Sequence, residues 1–235
     1  MKHITRPEQS LDGVDLLKQM TPADRHALAE RASWRRYGPG ETIIHYLDTS
    51  ADVFFVVAGR VRALNYSRAG RQVSYRDIDA GEMFGEFAAI DGEPRSSSVI
   101  ALSPCVIATL AADGLWRLLR EQPSVVAALL RHFTRLLRLY SERVKELATL
   151  PVSVRVQVEL LRLALPKAGD GSDALIIEPA PTHAEIADRI GTNREAVTRV
   201  LSELRRNGVL QSRRGTMTIV KANALRQAVS HAVDD

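Results

Sequence analysis

The run 182–206 of this 235-residue chain holds Arg194, Glu195 and Arg199 at a spacing that does chemistry on one face of a helix. At about 100° per residue, Ala196, Val197, Val200, Leu201 and Leu204 share one side. Arg194, Glu195, Thr198 and Arg199 fall roughly opposite. A preceding helix opens at Thr182, with Glu185 three residues on in capping-box spacing. Ile186 and Ile190 make its apolar side, and Gly191 suits the turn that follows. Thr192 or Asn193 caps the second helix. Two helices around a glycine turn, with this polar face outward, fit a DNA major groove. The N-terminal part of the second helix enters the groove. Arginine bonds guanine in a bidentate way, and glutamate accepts from the cytosine amino group.

Simpler explanations compete. Glu195 also stands three residues after Thr192, so a second capping box accounts for it, and exposed arginines are ordinary on an amphipathic helix. Two features favour DNA. From Arg189 to Arg214 there are seven arginines (189, 194, 199, 205, 206, 213, 214) against Glu195 and Glu203, so 7 − 2 leaves five positive charges. That is an electrostatic footprint for phosphate. Asn207-Gly208 then ends the helix. Residues 209–211 and 216–220 read as short strands around the basic turn Ser212-Arg213-Arg214-Gly215, as in the wing of a winged helix.

A second run, 81–98, carries Gly85, Glu86, Phe87, Arg95, Ser96 and Ser97. Gly85 allows close backbone approach. Phe84, Phe87 and Ile90 are spaced to anchor a short helical turn. Amides at such a turn attract anions, Arg95 adds a permanent charge, and Ser96 and Ser97 add hydroxyls. Glu86 is an odd neighbour for phosphate but accepts from a sugar hydroxyl. An internal Glu86–Arg95 salt bridge explains the same residues equally well.

The elements that must position these groups change type along the chain. Residues 1–20 are a short lead-in. Thr21-Pro22 opens a helix reaching about Ser33. From Tyr37 to Leu110 short β-rich runs (42–47, 53–57, 60–66, 72–78, 98–102, 106–110) are punctuated by glycine, as in a compact antiparallel barrel or jelly roll. After Asp113 the pattern is helical. Val126, Leu130, Phe133, Leu137, Tyr140, Val144 and Leu147 recur at alternating spacings of four and three, an a/d seam over roughly three heptads. Pro151 marks a break or hinge. A helix over 154–165, a loop over 167–173 and a strand over 174–178 lead back to the helix pair.

Composition sets limits. The chain is 45% hydrophobic and 26% charged, a globular profile. Its net charge of only +4 places the basic character in local patches. The one cysteine, Cys105, sits in an apolar run, which excludes an intrachain disulfide and an all-cysteine iron–sulfur cluster within one chain. A buried small hydrophobe is the reading for it. No 18-residue apolar stretch or secretory signal is apparent, which points to a cytoplasmic protein and no membrane partner. No nucleophile–base pair or metal-spaced His/Cys cluster supports catalysis, so neither an enzyme nor a metal site is expected. His3, His26 and His45 are available as haem ligands, but no haem is expected.

From about Thr21 onward the chain resembles the cyclic AMP receptor protein family, the CRP/FNR superfamily. Gly85-Glu86-Phe87 and Arg95-Ser96 are similar to its phosphate-binding cassette. The resemblance implies that Glu86 holds the ribose 2′-hydroxyl and that Arg95, helped by Ser96, binds the cyclic phosphate. The amides around Gly85 and Phe87 would complete the cradle. Tyr140-Ser141-Glu142-Arg143-Val144 resembles the central-helix segment that meets the purine: Ser141 matches the family's serine, Tyr140 replaces a threonine, and Leu136 stands where an arginine is usual. Arg194-Glu195-Ala196-Val197-Thr198-Arg199 is similar to the form that reads a TGTGA-like half-site.

The implied fold is α+β: an N-terminal jelly-roll-like β-roll that binds a cyclic nucleotide (1–122), a long dimerisation helix and hinge (123–150), and a C-terminal winged helix-turn-helix (151–235). The implied function is a homodimeric transcription regulator acting on palindromic DNA. Its effector is cyclic AMP, with cyclic GMP, both nucleotides, or ligand-independent binding as alternatives. RNA polymerase is a further implied partner. The DNA contacts expected are Thr182, Arg194, Glu195, Thr198, Arg199 and Arg213.

Overall fold

The computed structural model describes residues 9–68, 70–166 and 173–234, with side chains described to residue 230 except at Pro166. The lead-in over 1–8 with His3, and the loop expected over 167–173 apart from its last residue, lie outside the described residues. The chain forms two compact units, divided between Leu137 and Arg138.

In the N-terminal unit α1 (Pro22–Arg31) starts as expected: Thr21 accepts the N–H of Asp24, with Pro22 in the first turn. The lead-in is more than a tether. A 3-10 turn at Asp15–Leu17 buries Leu16 and Leu17, and Leu11, Val14 and Met20 join the same core. Eight strands follow, β1 (Ser33–Tyr37), β2 (Thr42–Ile44), β3 (Val53–Ala58), β4 (Arg60–Tyr66), β5 (Gln72–Asp79), β6 (Met83–Phe84), β7 (Ser98–Ala101) and β8 (Cys105–Leu110). They build two antiparallel four-stranded sheets, ordered β1-β8-β3-β6 and β2-β7-β4-β5. The near-continuous apolar run of β3 has a simple cause. Alternate side chains leave opposite faces of a strand. Phe54 and Val56 therefore enter the core shared with the second sheet, while Val53 and Phe55 enter the core under the helices. Cys105 is buried, with its Sγ 3.2 Å from the Arg60 carbonyl.

A short α2 (Glu86–Asp91) lies between β6 and β7, and α3 (Ala112–Glu121) leads into the long α4 (Pro123–Thr149). One stripe of α4, Val125, Leu129, His132 and Leu136, is buried. Val126, Leu130, Leu137, Val144 and Leu147, from the heptad seam, are exposed apolar side chains.

The C-terminal unit contains α5 (Val152–Leu163), β9 (Leu165–Pro166), β10 (Leu175–Ile177), α6 (His183–Ile190), α7 (Arg194–Arg206), β11 (Leu210–Arg213), β12 (Thr216–Ile219) and α8 (Ala222–Asp234). Its sheet has the order β11-β12-β10-β9. Val156, Leu160, Ile186, Val197, Leu201 and Ile219 centre the core. Pro151 does interrupt the helix, since it precedes α5 as its N-cap. The end of α4 nevertheless belongs to this unit, and an ion network explains why. Fully buried Glu159 on α5 accepts from Arg162 at 2.7 Å and lies 3.3 Å from Arg143 and 3.4 Å from Arg189. Arg162 also reaches Glu146 at 2.5 Å. Arg143 and Arg155 donate to the main-chain oxygens of Arg189 and Ile190, both at 2.8 Å. These two arginines thus satisfy the last carbonyls of α6, where positive charge is favoured.

Candidate nucleotide and DNA sites

The cassette is built on two left-handed glycines. Gly85 (φ 78°) precedes α2 and Gly92 (φ 73°) ends it. Gly85 has a second constraint. A Cβ there would lie 2.8 Å from Arg95 Nη1 and 2.9 Å from the Phe54 ring. Phe84 stacks on Phe54, with ring centroids 5.0 Å apart. Phe87 does not anchor the turn as its spacing suggested. It is 39% exposed, and Ala88 and Ala89 are the buried residues of α2. The six-residue helix turns position 87 outward, toward Phe133 at 6.1 Å between centroids.

Arg95 is 2% exposed. Its Nη1 donates to Gly85 O (2.7 Å), Nη2 to Asp52 O (2.8 Å) and Nε to Ser50 Oγ (3.1 Å). The guanidinium also lies over the Phe54 ring, 5.4 Å from its centroid. Of its five N–H groups, three are used in this way, leaving one on each terminal nitrogen. Burial pulls the guanidinium below its ordinary value, while Asp52, Asp48 and Glu86 push the other way. Glu86 is buried too, but the internal Glu86–Arg95 bridge does not form. The Glu86 carboxylate instead faces His132 on α4, with Oε1 3.5 Å from Nε2. Ser96 is exposed and Ser97 half-buried, just before β7. Tyr140 is half-buried and Ser141 exposed, both on the part of α4 that belongs to the C-terminal unit.

In the helix pair, Thr182 and Glu185 make the full capping box, and Gly191 ends α6 at φ 64°. Asn193 caps α7, accepting the N–H of Ala196 at 2.8 Å. Arg194, Glu195 and Arg199 are exposed, and Val197, Leu201 and Leu204 face the core. Thr198 is less open than expected. Its hydroxyl donates to the Arg194 carbonyl at 2.9 Å and lies 2.7 Å from His183 Nδ1. With its one proton committed, the hydroxyl accepts, so Nδ1 carries the hydrogen. Burial, then Arg205 and Arg194, lower the His183 pKa from its usual value. Arg189 was counted in the basic patch, yet its side chain is 8% exposed and turned to Glu159. The wing is a hairpin of β11 and β12 turned at Arg214 (φ 27°) and Gly215 (φ 81°), with Arg213 exposed at its tip.

His132 and His183 were not foreseen. A lone histidine in an apolar helical stripe gives no sign of its partner, and His183 sits in an ordinary first-turn position.

Two family models match the chain: a cyclic nucleotide-binding domain over residues 34–122 and a Crp-like helix-turn-helix domain over 154–228. The fold and the two matches define a class of DNA-binding regulator that carries a cyclic nucleotide-binding domain. Among curated proteins the chain is 28% identical to the cAMP-activated global transcriptional regulator CRP of Pasteurella multocida over 186 residues, covering 78% of this chain and 88% of that one. It is 27% identical to the Cyclic AMP receptor protein of Thermus thermophilus over 217 residues, 92% of this chain and 97% of that one. The structure of CLP, the c-di-GMP responsive global regulator of Xanthomonas campestris, shares the fold with a TM-score of 0.72 at 22% identity, covering 82% and 95% of the two chains. The chain belongs to the CRP/FNR superfamily of transcription regulators. It is a DNA-binding regulator with a cyclic nucleotide-binding domain, and not an enzyme. No helix among the described residues is long and apolar enough to cross a membrane.

Proposed function

We propose that the protein is a homodimeric regulator that binds palindromic TGTGA-like DNA when a 3′,5′-cyclic nucleotide, cyclic AMP in the first instance, occupies the β-roll. The observation that carries this is Arg95. It is a buried cation with no ion pair among the described residues, held by two carbonyls and a hydroxyl, with N–H groups to spare. A buried charge is costly without a counter-charge, and a cyclic phosphate supplies one. Glu86 takes the ribose 2′-hydroxyl. Gly85, Phe87, Ser96 and Ser97 frame the phosphate, and Tyr140 and Ser141 are assigned to the base.

The exposed apolar face of α4 is the dimer seam, which supports two-fold pairing with a second copy. A two-fold dimer presents α7 twice, so half-sites lie one helical turn apart, about 34 Å. Arg194, Glu195 and Arg199 read bases, Arg213 meets phosphate, Thr182 is assigned to the DNA face at the start of α6 with its N–H and hydroxyl bonded to Glu185, and Thr198 supports the face through His183. Nucleotide and operator favour the same conformational state, so each strengthens binding of the other. The protein acts in the cytoplasm, with RNA polymerase as the partner at promoters.

Calorimetry with cyclic AMP and cyclic GMP, on the wild type and Arg95→Ala, tests the ligand assignment. Binding of one nucleotide, lost in Arg95→Ala, is expected. Binding of neither by the wild type contradicts it.

A further inference from the structure

We infer that His132 is a positioning residue for Glu86, holding one carboxylate oxygen from α4 so that the other is presented to the 2′-hydroxyl of the nucleotide. The inference rests on the proposed nucleotide site and assigns it a residue outside the cassette.

Both side chains are buried, His132 at 9% and Glu86 at 6% exposure. An ionised carboxylate only accepts, but its two oxygens offer about four lone-pair sites. One oxygen turned to an imidazole therefore leaves the other for a ligand hydroxyl. His132 Nε2 is fully enclosed and has no hydrogen-bond partner, and Glu86 Oε1 lies 3.5 Å away. This is a near-contact that a small shift of either side chain closes. Enclosed polar nitrogens are rarely left in this state without a role.

The rest of the stripe sharpens the point. Val125, Leu129 and Leu136 are apolar, and a leucine at 132 would continue them. The Phe133 ring lies 5.8 Å from that of His132 and 6.1 Å from that of Phe87, next to Glu86 in the chain.

The test compares cyclic AMP with 2′-deoxy cyclic AMP, and cyclic GMP with its 2′-deoxy form, by calorimetry on the full chain. The wild type is expected to prefer the ribose form roughly tenfold or more, the scale of one hydrogen bond to a charged group. In His132→Leu that preference shrinks toward one, because Glu86 is no longer held, while the 2′-deoxy affinity changes little. In His132→Gln, which restores an N–H donor, the preference returns. His132→Phe keeps the ring without the donor and replaces the leucine variant if that one fails to fold. A purely structural role moves both forms equally, so an unchanged preference in the donor-less variants overturns the inference while leaving the nucleotide site intact. A wild type with no 2′-hydroxyl preference overturns it too. A wild type that binds none of the nucleotides overturns the proposed site and this inference together.

Discussion

Asn193 accepts the N–H of Ala196 at 2.8 Å, and this bond settles what caps α7. Glu195 therefore stands second in the helix, not at the capping-box position counted from Thr192. Its carboxylate is free of that task and exposed. Glu195→Ala should leave domain stability within about 0.5 kcal/mol, yet relax discrimination at one base pair by about 1–3 kcal/mol. Asn193→Ala should do the reverse, costing about 1 kcal/mol of stability. Chemical denaturation and competition binding against single-base operator variants separate the two. A Glu195→Ala protein that is destabilised but equally selective would return Glu195 to a structural role.

Gly85 and Gly92 offer a matched pair. Both have left-handed backbone, but only Gly85 is crowded by Arg95 and Phe54, whereas nothing lies within 4 Å of a Cβ at Gly92. Gly92→Ala should cost about 1–2 kcal/mol of backbone strain and retain nucleotide binding. Gly85→Ala bears the same strain and must also displace the Arg95 guanidinium, so binding should fall at least tenfold. Thermal melts with calorimetry provide the comparison. Equal affinities in the two variants would show that Arg95 is not at the ligand.

Glu159 is the acid shared by Arg143, Arg162 and Arg189, and Arg162 also reaches Glu146. Removing it in Glu159→Ala takes the bridging carboxylate from buried Arg143 and should cost about 3–5 kcal/mol. Denaturant unfolding of the full chain should show the loss. A change below about 1 kcal/mol would mean that water replaces the carboxylate at little cost.

The parts of the fold that sequence made legible rest on local physics. Thr182, Glu185 and Gly191 cap and end a helix by side-chain and backbone geometry alone, and β4 was bounded correctly because Gly59 and the polar residues after Tyr66 flank an apolar run. Edge strand β1 was missed because Trp34-Arg35-Arg36 lacks the alternation of a half-buried strand. Its residues pair with β8 at the border of the sheet. Residues 9–20 read as a lead-in because their apolar side chains have no regular period, yet they fill the core. The candidate site shows the same limit. Glu86 and Arg95 were identifiable by type. Their partners, His132 and the carbonyls of Asp52 and Gly85, come together only through tertiary packing, and so does Glu159 with the end of α4.

His183 gives a pH dependence with a defined sign. Its folded pKa is lowered, chiefly by burial, so the fold favours the neutral ring. The unfolded chain takes up its proton near pH 6.5. The contribution to stability is therefore complete above that pH and declines as pH falls through 6.5 toward the folded value. Imidazole NMR should place the His183 midpoint below 6.5, and His183→Gln should flatten the acid side of the melting-temperature profile. A midpoint above 6.5 would contradict a fold that favours the neutral His183 ring.

The central claim joins Arg95 to α7: a nucleotide in the β-roll governs DNA reading. The most direct measurement is fluorescence anisotropy of a labelled TGTGA–TCACA duplex, titrated with the protein alone, with cyclic AMP and with cyclic GMP at one fixed salt concentration. One nucleotide should raise affinity at least tenfold, a coupling of about 1.4 kcal/mol, and Arg95→Ala should abolish that rise while keeping the ligand-free affinity. Identical affinities under all three conditions would contradict the account.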